Sequence, residues 1–236
     1  MRALSSVLLD ILFPLLCLAC RKKGEWICSD CQKRIPLYIE HRCPVCKKTI
    51  TPAGETCRDC YGHSSLDGIF SATFYEIPII SRAIHTYKYR FVPEVSKPLA
   101  TVLQDALLQK DLPLPEALVP VPLHPRRLRF RGFNQAELLA RELSQLIAPE
   151  LSLPVIADAL KRIRYTKPQM KTTSRTGRLA NLKDAFSVDK TKQALLKNKR
   201  VWLIDDVATT NTTLSECAKV LKENGAKSVF GIVVAR

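Results

Sequence analysis

Downstream of residue 66 the apolar positions fall into short continuous runs separated by stretches of helical period. Residues 69–75 (IFSATFY), 117–123 (ALVPVPL), 201–204 (VWLI) and 228–234 read as strands, and the second ends in a stiff proline turn. Unbroken apolar runs of this kind mark strands buried on both faces of a parallel sheet. Between them the spacing predicts helices over 78–89, opened by Pro78, and over 95–109, 134–147 and 212–224, the last stopped by Gly225. Weaker strand signals lie at 155–163 and 186–188. The stretch 166–175 (TKPQMKTTSR) is polar and basic and is expected to be a mobile loop, with a helical turn over 176–182. Strands alternating with helices predict an α/β domain with a mainly parallel sheet over residues 66–236.

The front of the chain follows neither period. Residues 7–20 (VLLDILFPLLCLAC) are apolar, but the run is 14 residues long and is broken by Asp10 and Pro14. A spanning helix needs ~20 apolar residues, so this segment is not expected to cross a bilayer. Leu4, Leu8, Ile11, Leu12 and Leu15 share one helical face, which suits contact with a partner domain or peripheral contact with a membrane. A secretion signal cleaved at Leu18-Ala19-Cys20 is the competing reading, but that cut would divide a cysteine pair.

Eight of nine cysteines lie in the first 60 residues, as Cys17-x-x-Cys20, Cys28-x-x-Cys31, Cys43-x-x-Cys46 and Cys57-x-x-Cys60. A two-residue gap lets both thiolates turn toward one ion, and two such pairs complete a tetrahedral four-cysteine zinc site. Residues 1–65 are therefore expected to form a double zinc-ribbon module holding two structural Zn2+ ions. Consecutive pairing (17/20/28/31 and 43/46/57/60) is favoured over interleaved pairing; one metal rather than two, or a redox dithiol set, are the alternatives. With every ligand supplied by protein, no coordination position stays open for catalysis.

Charge changes the picture next. Net charge is +15, and residues 124–200 carry 18 Lys+Arg against 6 Asp+Glu. A basic stretch this concentrated attracts polyanions: nucleic acid, anionic lipid or phosphorylated small molecules. The zinc module, at +4 before its thiolates are counted, becomes nearly neutral once eight thiolates and two Zn2+ are included.

Against that background, two adjacent carboxylates, Asp205 and Asp206, follow the apolar run VWLI and precede Thr209, Thr210, Asn211, Thr212 and Thr213. Ligands of open α/β sheets bind outside the carboxyl ends of strands. The amides that open the next helix favour a phosphate there, with threonine hydroxyls as added donors. Paired carboxylates can accept hydrogen bonds from vicinal ribose hydroxyls. No Gly-x-x-x-x-Gly-Lys pattern occurs, which argues against a triphosphate-cradling loop.

VWLIDDVATTNTT resembles the phosphoribosyl pyrophosphate (PRPP) signature of type I phosphoribosyltransferases. VPVPLHPRRLRFRGFNQ (119–135), RTGRLANLKDAF (175–186) and YKYR (87–90) closely resemble the ComF family, also called GntX, which joins a cysteine-rich zinc module to a phosphoribosyltransferase-like domain. One departure is Asn211, where that family usually has glycine; asparagine tolerates positive φ better than most residues.

The resemblance implies roles residue by residue. Asp205 and Asp206 would hold the ribose hydroxyls, and Thr209 to Thr213 with Asn211 the 5′-phosphate. His124, Arg126 and Arg127 would face pyrophosphate with Mg2+, residues 167–178 would cover the site, and Arg129 and Arg131 would serve nucleic-acid phosphates. Arg131 or Asn134 anchoring a helix start is the plainer alternative. The resemblance further implies a cytoplasmic protein of natural transformation, acting at the inner face of the inner membrane on single-stranded DNA beside a helicase-like partner. Two functions stay open: an adaptor for DNA import that retains a PRPP site, and an Mg2+-dependent phosphoribosyltransferase acting on an unknown acceptor. Phe130, Phe133 and Tyr165 are the candidate rings for stacking on bases.

Overall fold

The computed structural model describes residues 14–147, 149–150, 153–164 and 184–236. The helical face expected through Leu4, Leu8, Ile11 and Leu12, the 166–175 loop, the 176–182 turn, Tyr165 and the cover over 167–178 all lie outside these residues.

After the cysteine-rich segment, which holds the short α-helix α1 (Ser29–Gln32) and a 3-10 turn (Arg58–Cys60), the order is β1 (Gly68–Thr73), α2 (Pro78–Tyr89), α3 (Ser96–Leu107) and β2 (Ala117–Pro120). Then come α4 (Pro125–Arg131), α5 (Gln135–Ile147), β3 (Leu160–Arg162), β4 (Phe186–Val188), α6 (Gln193–Leu196), β5 (Arg200–Val207), α7 (Thr212–Glu223) and β6 (Ser228–Ala235). The main sheet runs β1-β6-β5-β2 with every pairing parallel, while β3 and β4 form a separate antiparallel pair. The expected α/β class with its parallel sheet is what forms.

Alternation along the strands divides the core in two. Trp202 and Ile204 of β5 pack on one face with α2, α3 and α5, through Ile80, Leu99, Leu103 and Leu139. Val201 and Leu203 pack on the other face against α7 and the β3–β4 pair, through Leu214, Leu221 and Phe186. Successive strand residues point to opposite faces, so β5 must be apolar at every position until it leaves the core.

Three local outcomes differ from the pattern-based expectation. Strand β5 does not stop at Ile204; it stays paired with β6 through Asp205↔Val233 and Val207↔Ala235, so the two carboxylates are strand residues. The proline turn after β2 winds into α4. His124 Nδ1 accepts the Arg126 amide at 3.2 Å, Pro125 supplies a preset φ at the first position, and Gly132 closes the helix at φ +84. Of 155–163, only Leu160–Arg162 is strand, and Val155 makes a single bridge to Leu118.

The cysteine-rich segment is joined to the sheet by backbone. Strand β1 is an edge of the main sheet, and an open edge invites unwanted pairing. Here it is covered: Leu37 bridges Thr73, Glu55 bridges Gly68, the Tyr38 amide donates to Ala72 O at 2.7 Å and the Ile69 amide to Gly54 O at 2.9 Å. Ile27, Ile35 and Ala53 belong to the same buried cluster as Phe70 and Leu99. Gly54 lies where the chains approach most closely; its φ is +91 and a Cβ there would sit 2.1 Å from Ile69 O. Gly54→Ala is expected to destabilise the chain by roughly 2–4 kcal/mol in urea unfolding. Gly24→Ala, also at positive φ but with nothing within 4 Å, should cost only about 1 kcal/mol. Equal costs for the two variants would contradict the edge-sealing role of Gly54.

Candidate functional site

The eight thiols gather in consecutive order. Cys17, Cys20, Cys28 and Cys31 form one cluster and Cys43, Cys46, Cys57 and Cys60 the other, with all four sulfurs of each lying within 4.8 Å of one another. Both clusters use the same construction. The residue after the second cysteine, Arg21 or Lys47, takes a left-handed conformation (φ 67 and 59), and its amide returns to Cys17 O or Cys43 O at 3.0 and 2.9 Å. That turn brings the first pair of thiols to one side. The second pair sits on a single helical turn, Ser29–Gln32 in one ribbon and Arg58–Cys60 in the other.

The chemistry of the donor sets fits zinc. Amides of Thr49 and Lys48 pull the Cys46 thiol down to about 6. Hydrogen bonds from Cys20 and Cys28 push Cys31 up to about 12, and desolvation, then Cys57 and Cys43, push Cys60 up to about 12. Four sulfurs this close cannot all ionise without a counter-charge, and a divalent soft cation supplies it.

The second site lies at the carboxyl end of β5. The pleat starts the two adjacent side chains toward different sides of the strand, yet both border the same cavity. Asp206, 3% exposed, turns toward α2, where its Oδ1 accepts the Lys88 ammonium at 2.8 Å. Its Oδ2 is buried and has no partner among the described residues. Asp205 Oδ1 accepts the Asp206 amide at 2.9 Å. Burial, then repulsion from Asp206, pushes the Asp205 carboxyl up to about 7. Burial works against the Lys88 ammonium, but attraction from Asp206 and then Asp205 outweighs it, and its pKa is raised.

A cavity of 210 Å³ opens over this pair. Among the described residues its charged lining is Lys88, Arg127, Arg131 and Arg162 against Asp205 and Asp206, with Gln135 and Thr213 beside them. Four cations against two carboxylates make it a cavity for an anion. Gln135 is 3% exposed; its Oε1 accepts a short hydrogen bond from Arg131, its backbone carbonyl accepts the Tyr87 hydroxyl at 2.8 Å, and its buried Nε2 has no partner among the described residues. Burial lowers the pKa of both Arg131 and Arg162.

The loop after the pair turns tightly into α7. Asn211 takes φ 61 at the helix N-cap, the left-handed conformation that glycine adopts most readily. The Thr212 hydroxyl donates to Thr210 Oγ1 at 3.1 Å, and Thr209 is exposed. Thr213 lines the cavity; Thr209, Thr210, Asn211 and Thr212 make the turn that aims the first amides of α7.

The remaining expected residues divide. Arg127 and Arg131 line the cavity over the carboxylates. His124 instead caps α4 and lines an adjoining cavity of 680 Å³ with Leu128, Glu137 and Lys161, while Arg126 and Arg129 are exposed on α4. Asn134 anchors a helix start: its Nδ2 donates to Val121 O at 3.1 Å and its Oδ1 accepts the Ala136 amide at 3.2 Å. Lys88, Gln135 and Arg162 were not expected in the site. Lys88 sits inside the YKYR motif, which was a usable signal; Arg162 had none, since its segment reads only as a weak strand.

Beyond the cavity mouth lies a rim of exposed rings. Phe130 is 78% and Tyr89 63% exposed, and Phe91, at φ 57, places its ring edge-on to Phe130 with centroids 5.4 Å apart. Arg90 and Arg129, next to Tyr89, Phe91 and Phe130 in sequence, are exposed as well. No Asp or Glu occurs between Glu76 and Glu94, or between Glu116 and Glu137. Among the described residues, no helix is long and apolar enough to cross a membrane.

Comparison with known proteins adds three findings. The double zinc ribbon domain family matches residues 8–61. Competence protein F of Haemophilus influenzae is 33% identical over 92% of this chain and 95% of its own length. DNA utilization protein YhgH of Escherichia coli K12 is 32% identical over 92% and 94%, and competence protein ComFC of Streptococcus pneumoniae 28% over 89% and 87%. Among solved structures, the glutamine PRPP amidotransferase from B. subtilis complexed with ADP and GMP overlaps 63% of this chain and 30% of its own, at 19% identity and a TM-score of 0.40. A score that low says nothing of function.

Loss of metal should be felt by the whole chain, because Ile27, Ile35 and Ala53 share the core of the sheet domain. Metal analysis is expected to find two zinc ions per chain. Stripping them should lower the melting temperature by roughly 10 °C or more in a single transition. An unchanged transition, or one zinc per chain, would contradict this.

Proposed function

The chain belongs to the competence protein F (ComF) family, and from that premise we propose that it binds a 5-phosphoribosyl diphosphate, PRPP, at the end of β5 and handles single-stranded DNA on the adjoining rim. The observation that carries the sugar-phosphate reading is the cavity over Asp205 and Asp206. It is net cationic, yet holds two carboxylates and two buried polar atoms that have no partner among the described residues, Asp206 Oδ2 and Gln135 Nε2. Such atoms cost free energy unless something bonds to them. A sugar with vicinal hydroxyls bonds to the carboxylates; phosphates bond to Arg127, Arg131 and the opening amides of α7.

Magnesium accompanies the diphosphate in the reading by resemblance, but the residues at the pair do not suit a resident ion. Lys88 already pairs with Asp206 at 2.8 Å, and Arg127, Arg131 and Arg162 line the same cavity. The cavity carries four cations against two carboxylates without a metal, so Mg2+ enters with the ligand's phosphates.

Isothermal titration with PRPP and Mg2+ tests the reading. Asp206→Asn is expected to weaken binding about 10- to 100-fold, the loss of hydrogen bonds to a charged acceptor. Affinity should also fall as pH drops below about 7, where Asp205 takes up a proton and one acceptor lone pair is lost. Binding by wild type that is absent, or unmoved by Asp206→Asn, would overturn the site.

The DNA reading is supported by the relatives that carry competence and DNA utilization names, and by the rim of Tyr89, Phe91 and Phe130 with Arg90 and Arg129. Rings give single strands a stacking surface, and arginines follow the phosphates. Fluorescence anisotropy with a labelled oligo-dT should show Phe130→Ala weakening binding about tenfold with the salt slope intact. Arg129→Ala should reduce that slope by ~0.7. No change for either variant would remove the rim from the account.

Phosphoribosyl transfer is the second reading. One observation favours it: the adjoining 680 Å³ cavity shares Pro122, Leu123, Asn134 and Arg162 with the cavity over the carboxylates, which leaves room for an acceptor beside the sugar. Pyrophosphate released only when an acceptor is added would establish it.

A further inference from the structure

A buried carboxylate needs a counter-charge, and at the end of β5 the protein supplies its own. Asp206 is 4% exposed at its side chain, Lys88 is 25% exposed, and their 2.8 Å contact fills the Oδ1 position. The ammonium takes one lone pair of Oδ1 and cancels the charge of Asp206, so a divalent ion brought to the pair meets a fixed positive charge 2.8 Å from that oxygen. We propose that Lys88 is a built-in counter-cation that keeps divalent metal off the carboxylate pair and leaves Asp206 Oδ2 as a bare acceptor for a ligand hydroxyl.

The surroundings hold Lys88 to this task. It lies in the last turn of α2, and the neighbouring Tyr87 fastens that turn by donating to Gln135 O at 2.8 Å. The Tyr87 ring also packs against Phe133 at 5.6 Å between centroids. The other cations at the cavity are committed or set apart. Arg131 donates to Gln135 Oε1, and Arg127 and Arg162 reach the cavity from α4 and β3. Lys88 stays charged at neutral pH because Asp206 and Asp205 together outweigh its burial.

The chemical consequence is selectivity. Two carboxylates left uncompensated would collect Mg2+ or Mn2+ before any ligand arrived. With an ammonium in place, the pair selects a neutral hydrogen-bond donor such as a hydroxyl, and any metal must come bound to the ligand. This inference concerns the free protein and does not depend on which sugar phosphate the cavity takes.

Zinc-loaded protein at pH 8 can be titrated with Mn2+ alone, free Mn2+ being followed by electron paramagnetic resonance. Wild type is expected to bind no Mn2+ in the micromolar range, whereas Lys88→Met gains one site at least tenfold tighter than anything wild type shows. Lys88→Arg should exclude the ion as wild type does, and Lys88→Met combined with Asp206→Asn should lose the gained site. Circular dichroism and retention of two zinc ions verify the fold, and Lys88→Gln replaces Lys88→Met should that variant not fold. A wild-type site as tight as that of the variant, no gain on removal of Lys88, or a gain that survives Asp206→Asn would each overturn the proposal.

Discussion

The contact between Lys88 and Asp206 is the constraint around which the site is arranged. Strand β5 needs apolar residues while it crosses the core and then places a carboxylate, 3% exposed, at the point where it emerges. An ionised group at that depth is costly unless paired. The pair draws α2 over the sheet end, and α2 in turn fixes α5 through Tyr87 and Gln135. Burial, and then its charged neighbour, push the Asp205 carboxyl up to about 7.

A second dependence runs through the front of the chain. The ribbons are too small to build a core of their own, so metal supplies their order. That order reaches the sheet through β1, whose outer edge is sealed by backbone bonds to residues 37, 38, 54 and 55. Zinc therefore supports the domain carrying the site as well as the ribbons. Cys17 of the first cluster also borders a cavity lined by Arg21, Arg82, His85 and Arg90.

Much of this was legible in the residues, for identifiable reasons. The C-x-x-C spacing shows that the thiols act in pairs and favours consecutive pairing; the fold decides it. Apolar runs such as VWLI have no stable place but a strand buried on both faces. What escaped was what tertiary contact decides. Strand β5 continues through Asp205 and Asp206 because β6 is still there to pair with them, which no local propensity encodes. Helix α4 escaped because a histidine cap and a proline at the first position read as a turn. Lys88 escaped because a lysine late in a helix is ordinarily a solvated charge; only the fold brings Asp206 to it across 118 positions of sequence. Arg131, expected to face nucleic acid, is instead half-buried in the cavity wall, held by a glutamine one turn further along.

The central claim is that the end of β5 and the start of α7 together cradle a phosphorylated sugar. The most direct measurement is a crystal structure of the zinc-loaded protein grown with PRPP and Mg2+. The account predicts ribose hydroxyls within hydrogen-bond distance, about 2.5–3.0 Å, of Asp205 and Asp206. It also predicts the 5′-phosphate on the amides that open α7 at Thr212 and Thr213. Sugar diphosphate bound elsewhere, or those amides occupied by protein while the carboxylates stay bare, would contradict it.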